Sequence, residues 1–127
     1  LIVLDASAAL AALLNDGPAR RMVAVEQLHA PHLVDSEVAS GLRRGVAGGR
    51  LTVAQASDAL RVWQQLGVTR YPGVGLLDRV WELRENVTAY DATYVALAEL
   101  LDCALVTADA RLSRAPALGC PLTVVPA

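Results

Sequence analysis

The chain has no lysine and no phenylalanine; all 11 of its basic residues are arginine. The missing lysine excludes whole classes of phosphate chemistry. A phosphate-cradling nucleotide loop needs Gly-x-x-x-x-Gly-Lys, and no such motif occurs. A phosphoacceptor receiver domain needs a lysine beside its acids. A haloacid-dehalogenase-type phosphatase needs a lysine and an Asp-x-Asp pair, whereas "LDAS" at Leu4–Ser7 offers one acid. The two cysteines, Cys103 and Cys120, are too few and too scattered for a disulfide framework or a thiolate zinc site. They read as neutral thiols, Cys103 inside an apolar strand pattern where a small hydrophobe is expected.

Long hydrophobic runs are also missing. No stretch reaches membrane-spanning length, and no charged-then-apolar signal pattern occurs, so the expectation is a soluble, cytoplasmic protein with no membrane contact. Net charge is -2, which leaves no global basic footprint of the kind many nucleic-acid binders carry. A local basic face remains open. With no linker, repeat or low-complexity stretch, residues 1–127 read as a single domain.

What is present is apolar and small. Hydrophobic residues make up 54% and charged residues 19%, which suits a folded domain with its own core. Much of the apolar content is Ala, Val and Leu, fit for tight packing of helices on a sheet. Continuous apolar runs at Leu1–Leu4, Ala104–Thr107 and Leu122–Val125 predict strands buried on both faces. Short strands are also predicted at His29–His32 and Val68–Tyr71. Helical spacing predicts helices from Ser7 to about Leu14, from Pro18 with Met22, Val23, Val25 and Leu28 on its apolar side, and from Val34 to about Val46. Further helices are expected after Thr52 as a cap, over Gly73–Glu85 with Leu77, Val80, Trp81 and Arg84 in register, and over Tyr90–Leu101. Strands alternating with helices, the strongest strands apolar throughout, predict a parallel sheet covered on both faces. Ligands of such sheets sit outside the carboxyl ends of the strands.

Four acids interrupt apolar contexts: Asp5 after "LIVL", Glu37 in "HLVDSEVASGL", Asp91 in "TAYDATYVAL" and Asp109 in "LVTADARL". Each has a local reading. Asp5 and Asp109 can cap the turns they precede, and Asp91 and Glu37 can favour the positive ends of their helices. Together they converge on the carboxyl edge of the proposed sheet. Clustered carboxylates repel, and without lysine the available offset is a divalent cation; Mg²⁺ or Mn²⁺ takes carboxylates and waters. Ser7 and Thr107, two residues from Asp5 and Asp109, add hydroxyls that either cap locally or hold a carboxylate or a metal-bound water.

"LIVLDASAAL", Glu37 after "APHLVDS", "YDATYVALAELL" and "LVTADARL", in this order and over essentially the whole chain, resemble a PIN domain, and within it the VapC-type toxins of bacterial toxin–antitoxin pairs. The resemblance implies an α/β/α sandwich with a central parallel sheet. It implies a Mg²⁺- or Mn²⁺-dependent endoribonuclease, a cognate VapB-like antitoxin and a homodimer. Position by position it implies Asp5, Glu37, Asp91 and Asp109 as the catalytic acids, with Asp5, Asp91 and Asp109 holding metal. Ser7 and Thr107 match hydroxyls near it. The antitoxin's carboxyl-terminal segment would lie across the early helices, which makes Val38, Leu42 and Trp63 partner-facing candidates. A catalytically silent PIN-like module that binds RNA or protein is the competing expectation.

RNA contact needs local positive charge. Arg111 and Arg114, just past Asp109, are the preferred contacts; Arg43, Arg44 and Arg50 flank a Gly-rich turn and read as RNA contacts or as solvated surface, and Arg20 and Arg21 as solvated surface. Trp63 and Trp81, on apolar helical faces, read first as core. His29 and His32 read as structural.

Overall fold

A computed structural model describes residues 1–127. Five strands and six α-helices alternate along the chain. They are β1 (Ile2–Leu4), α1 (Ala6–Leu14), α2 (Pro18–Val25), β2 (Leu28–Pro31), α3 (Leu33–Ala47), α4 (Val53–Gln65), β3 (Val68–Tyr71), α5 (Leu77–Glu82), α6 (Ala89–Leu101), β4 (Ala104–Thr107) and β5 (Leu122–Val124). Short 3₁₀ turns cover Val74–Leu76 and Ala110–Arg114. All pairings are parallel, in the order β3-β2-β1-β4-β5. The chain leaves β1 toward β2 and β3, then returns to lay β4 on the other side of β1. That reversal opens a crevice at the carboxyl ends of β1 and β4, where Leu4 pairs with Val106.

The central strands β1 and β4 are buried because helices cover both faces, whereas the edge strands β3 and β5 carry polar residues and are partly exposed, so the burial expected on both faces of the last strand is not met. Val3, Ala30 and Leu105 are wholly buried, and α6 packs on β1, β2 and β4 through Ala92, Val95 and Leu97. The four helices α1 to α4 form the other group, α1 against β4 and α3 against β2. The result is the expected α/β/α sandwich. Small residues bring helices of one layer close. A Cβ on Gly41 of α3 would stand 2.3 Å from Leu10 Cδ1 of α1. Gly49, at φ +73°, makes the left-handed turn that ends α3. Thr52 caps α4 in a full capping box with Gln55.

Two helical readings change. The helix expected over Gly73–Glu85 is a 3₁₀ turn followed by the short α5. The tighter turn shifts the phase of the inward face, which becomes Leu76, Val80 and Leu83. Trp81 is thereby turned out, 68% exposed, with the Arg84 guanidinium 4.9 Å from its ring centroid. Arg79 anchors α5 instead, donating to Glu99 of α6 at 2.7 and 3.0 Å. In α2, Val25 points to solvent and Leu28 belongs to β2.

Candidate active site

Four elements deliver one acid each to the crevice. Asp5 ends β1 and is the N-cap of α1, Glu37 lies on α3, Asp91 is in the first turn of α6, and Asp109 follows β4 and caps the 3₁₀ turn after it. All four line one cavity of about 220 Å³, together with Ser7, Ser40 and Arg44. The capping readings hold as well. Asp5 Oδ1 accepts from the Ala8 N–H at 2.9 Å, and Asp109 Oδ1 from the Arg111 N–H at 3.0 Å. One carboxylate therefore both starts a helix and faces the cavity.

Asp5 is 6% exposed and heavily hydrogen-bonded. The Ser7 hydroxyl donates to Asp5 Oδ1 at 2.6 Å and accepts from the Ala108 N–H at 2.8 Å. Its hydrogen is thus committed to Asp5, and its oxygen lies 3.2 Å from the buried Thr107 Oγ1. Thr107 Oγ1 also accepts from the Asp109 N–H at 3.0 Å. Ser7 and Thr107 thereby stitch the two loops that carry Asp5 and Asp109.

The charges strain against one another. Burial raises the pKa of Asp5, opposed by the Ser7 and Thr107 hydroxyls and the Ala8 N–H. Burial also raises Asp91, and the Asp5 and Asp109 charges raise it further. Glu37 is raised by burial, then lowered by a Tyr94 hydroxyl bond, then raised again by Asp91 and Asp5. Asp109 alone is lowered, because Arg111 binds it. As the side chains stand, no three His, Cys, Asp or Glu groups converge on one ion-sized point. Internal bonds hold two acids besides Asp5: Arg111 Nε and Nη2 donate to Asp109 at 3.1 and 3.0 Å, and Tyr94 donates to Glu37 Oε1 at 2.5 Å. The donors are nonetheless all oxygen, and the acids outnumber the single arginine that shares their cavity. That donor set fits a hard divalent cation.

Tyr94 and Asp35 escaped sequence reasoning. Tyr94 is 2% exposed, and its place three residues after Asp91 on α6 looks like ordinary core spacing. Arg44, open by sequence to an RNA contact or to solvated surface, lines the cavity. Asp35 receives Trp63 Nε1 at 2.8 Å and Arg70 Nε and Nη2 at 2.7 and 2.8 Å, which locks the start of α3 to α4 and β3. Only a through-space contact reveals any of them.

The partner-facing candidates need correction. Val38 and Trp63 are 0% and 2% exposed and belong to the core, because the inward faces of α3 and α4 meet there. Leu42, 4% exposed, does reach the floor of an apolar groove of about 400 Å³. That groove lies between α3 and α4 and is lined also by Ala39, Val46, Val53, Ala56 and Leu60. Arg111 and Arg114 are exposed as expected, Arg111 spent on Asp109. His29 Nδ1 meets the Tyr71 hydroxyl at 2.7 Å, a structural contact between β2 and β3. Cys103 and Cys120 are free, and burial pushes the Cys120 thiol up to about 11, so it stays neutral at pH 7.

The PIN-domain family profile matches residues 2–118. The chain is 64% identical over 126 residues to Ribonuclease VapC9 of Mycobacterium tuberculosis, covering 99% of each. It belongs to the VapC-type PIN-domain family. The fold agrees with solved PIN-domain structures. PAE2754 from Pyrobaculum aerophilum superposes with a TM-score of 0.70 at 28% identity, covering 95% of this chain and 82% of that one. VapBC2 from Rickettsia felis, solved bound to a DNA fragment from its promoter, superposes with a TM-score of 0.68 at 14% identity over 97% of each chain. No helix of this PIN domain is long and apolar enough to cross a membrane.

Proposed function

We propose that this chain is a metal-dependent endoribonuclease toxin held in check by a cognate VapB-like antitoxin. The observation that carries the reading is the delivery of Asp5, Glu37, Asp91 and Asp109 by four separate elements into one cavity at the topological switch point. The names of the relatives support the class of activity.

Asp5, Asp91 and Asp109 would hold Mg²⁺ or Mn²⁺, with Glu37 acting through water. A bound divalent cation supplies charge neutralisation at the phosphoryl oxygens and makes water a better nucleophile at neutral pH. The residues of the chain do the remaining work. Ser7 and Thr107 fix the Asp5 and Asp109 loops. Tyr94 holds one oxygen of Glu37 and leaves the other free to orient the attacking water and accept its proton, a task suited to a carboxylate whose pKa is raised. Water adds to phosphorus, the 3′ oxygen leaves with a proton, and the products carry 5′-phosphate and 3′-hydroxyl ends. The antitoxin's carboxyl-terminal segment is placed along the α3–α4 groove, whose lining is mostly apolar. Two copies of the chain pair, which sedimentation of the free protein tests.

The deciding experiment is cleavage of total cellular RNA by the purified chain, freed of partner, with Mn²⁺ or Mg²⁺ and an Asp91→Asn control. Discrete metal-dependent products with 5′-phosphate ends, absent in the control, are expected. A folded chain that binds Mn²⁺ but cuts nothing would favour a silent binding module instead.

A further inference from the structure

The arginines near the cavity are not equivalent. Arg111 is already neutralised, donating twice to Asp109 while its side chain is 83% exposed. Arg114 belongs to the same exposed turn. Arg44 lines the cavity itself. Its guanidinium makes one hydrogen bond, from Nη1 to the neutral Ser40 hydroxyl at 3.0 Å, and takes part in none of the ion pairs of the fold. A guanidinium carries five N–H donors, so most of its capacity is unspent.

Helix geometry explains the placement. Glu37, Ser40 and Arg44 stand at i, i+3 and i+7 and share one face of α3. Gly41, beside that stripe, lets α3 approach Leu10 of α1, and Leu10 lines the same cavity. A cation in the last turn of α3 is favoured by the helix dipole. The dipole does not account for a side chain laid back along the helix to Ser40, beside the acids.

We infer that Arg44 is the substrate-positioning cation of this site, holding a non-bridging phosphate oxygen of a single-stranded RNA backbone against the acids. The inference rests on the ribonuclease reading. A phosphodiester approaching four carboxylates is repelled, and Arg44 is the cavity's one unpaired positive charge to receive it. Arg111 would first have to release Asp109. Toward a divalent cation the sign reverses, because a positive guanidinium beside the acids weakens metal binding. Loss of Arg44 therefore has two opposite effects: RNA binds less tightly and metal more tightly. Misfolding would weaken both.

The test uses the full chain freed of antitoxin, with Arg44→Ala, Arg44→Lys and Arg111→Ala. RNA binding is read by anisotropy of a fluorescent, mixed-sequence, single-stranded oligoribonucleotide in EDTA across a salt series. Mn²⁺ binding is read by calorimetry, and folding by thermal melting. Arg44→Ala is expected to weaken RNA binding roughly tenfold and to reduce the salt slope by about 0.7. The same variant should tighten Mn²⁺ binding severalfold and, having lost the charge that offsets Glu37, melt only slightly lower without metal. Arg44→Lys should keep the slope and recover part of the affinity. The inference is overturned if Arg44→Ala leaves RNA affinity and slope intact, if Arg111→Ala carries the whole loss, or if RNA affinity, Mn²⁺ affinity and melting temperature fall together. A wild-type chain that binds no Mn²⁺ and cuts no RNA would sink the ribonuclease reading itself, whatever Arg44 does.

Discussion

Asp5 does two jobs with one carboxylate. Its Oδ1 caps α1 and accepts from Ser7, and the group as a whole is buried against its own charge. Substitutions separate the jobs. Asn keeps an oxygen that can cap; Ala keeps nothing. Asp5→Ala should be less stable than Asp5→Asn by about 1 kcal/mol in urea melts, while both abolish cleavage. Asp91 differs, because Thr88 caps α6 and Asp91 is not needed as a cap. Its folded pKa is raised, so the folded state holds its proton more tightly than the unfolded state. The metal-free fold then loses stability as pH climbs from the ordinary value of 3.8 through the raised one. Asn has no proton to lose. Asp91→Asn should therefore melt a few degrees above the metal-free wild type at pH 7, and that advantage should close as pH falls below 3.8. A variant that melts lower than wild type at pH 7 would contradict the electrostatic account.

Among the elements, α3 carries the greatest variety of tasks. Its first turn is locked by Asp35 to Trp63 of α4 and Arg70 of β3, its middle presents Glu37, and its far end shapes the groove with α4. Trp63 serves packing and hydrogen bonding at once, with the Arg70 guanidinium 5.7 Å from its ring centroid. Trp63→Phe keeps most of the packing and removes the Nε1 donor; it should cost about 1–2 kcal/mol, against about 3–5 kcal/mol for Trp63→Ala. A Trp63→Phe variant as stable as the wild type would mean the Asp35 bond contributes nothing. Val53, on the groove rim, is 69% exposed and bears little of the core. Val53→Arg should leave melting and RNA cleavage intact while releasing the antitoxin in a co-purification assay. Retention of the antitoxin by that variant would move its seat off this groove.

For the whole molecule, the excess of acids in one cavity is a cost that a bound cation would turn into stability. A ligand that binds only the folded state stabilises by RT ln(1 + [L]/Kd), roughly 2.7 kcal/mol at a hundredfold excess over Kd. Mn²⁺ should raise the melting temperature of the wild type and leave Asp91→Asn nearly unmoved. An equal rise in both would place the cation elsewhere.

Much of this architecture is legible from local pattern. Apolar runs at Leu1–Leu4 and Ala104–Thr107 mark the central strands, since only a sheet covered on both faces uses such runs, and the acid following each marks the carboxyl edge. Thr52 announces its helix through a capping box spanning four residues. The acids stand out because charge inside an apolar context is visible without coordinates. Contacts between distant segments are not visible in this way. The face that α5 buries depends on a 3₁₀ turn of three residues, Val74–Leu76, whose energy differs little from that of one more α-helical turn. The docking of α4 on α3 settles Trp63 inward, and that 3₁₀ turn settles Trp81 outward, although both sit on apolar stripes. Tyr94 meets Glu37 across 57 residues of chain, and Arg44 shares a cavity with acids carried by β1, α6 and the turn after β4. The sequence by itself determined the order of the elements, the parallel sheet and the four acids, because those follow from short-range periodicity and from where charge interrupts it. Tertiary structure alone decided which arginine shares their cavity, which tyrosine holds Glu37 and which tryptophan faces water, because those depend on how separate elements pack.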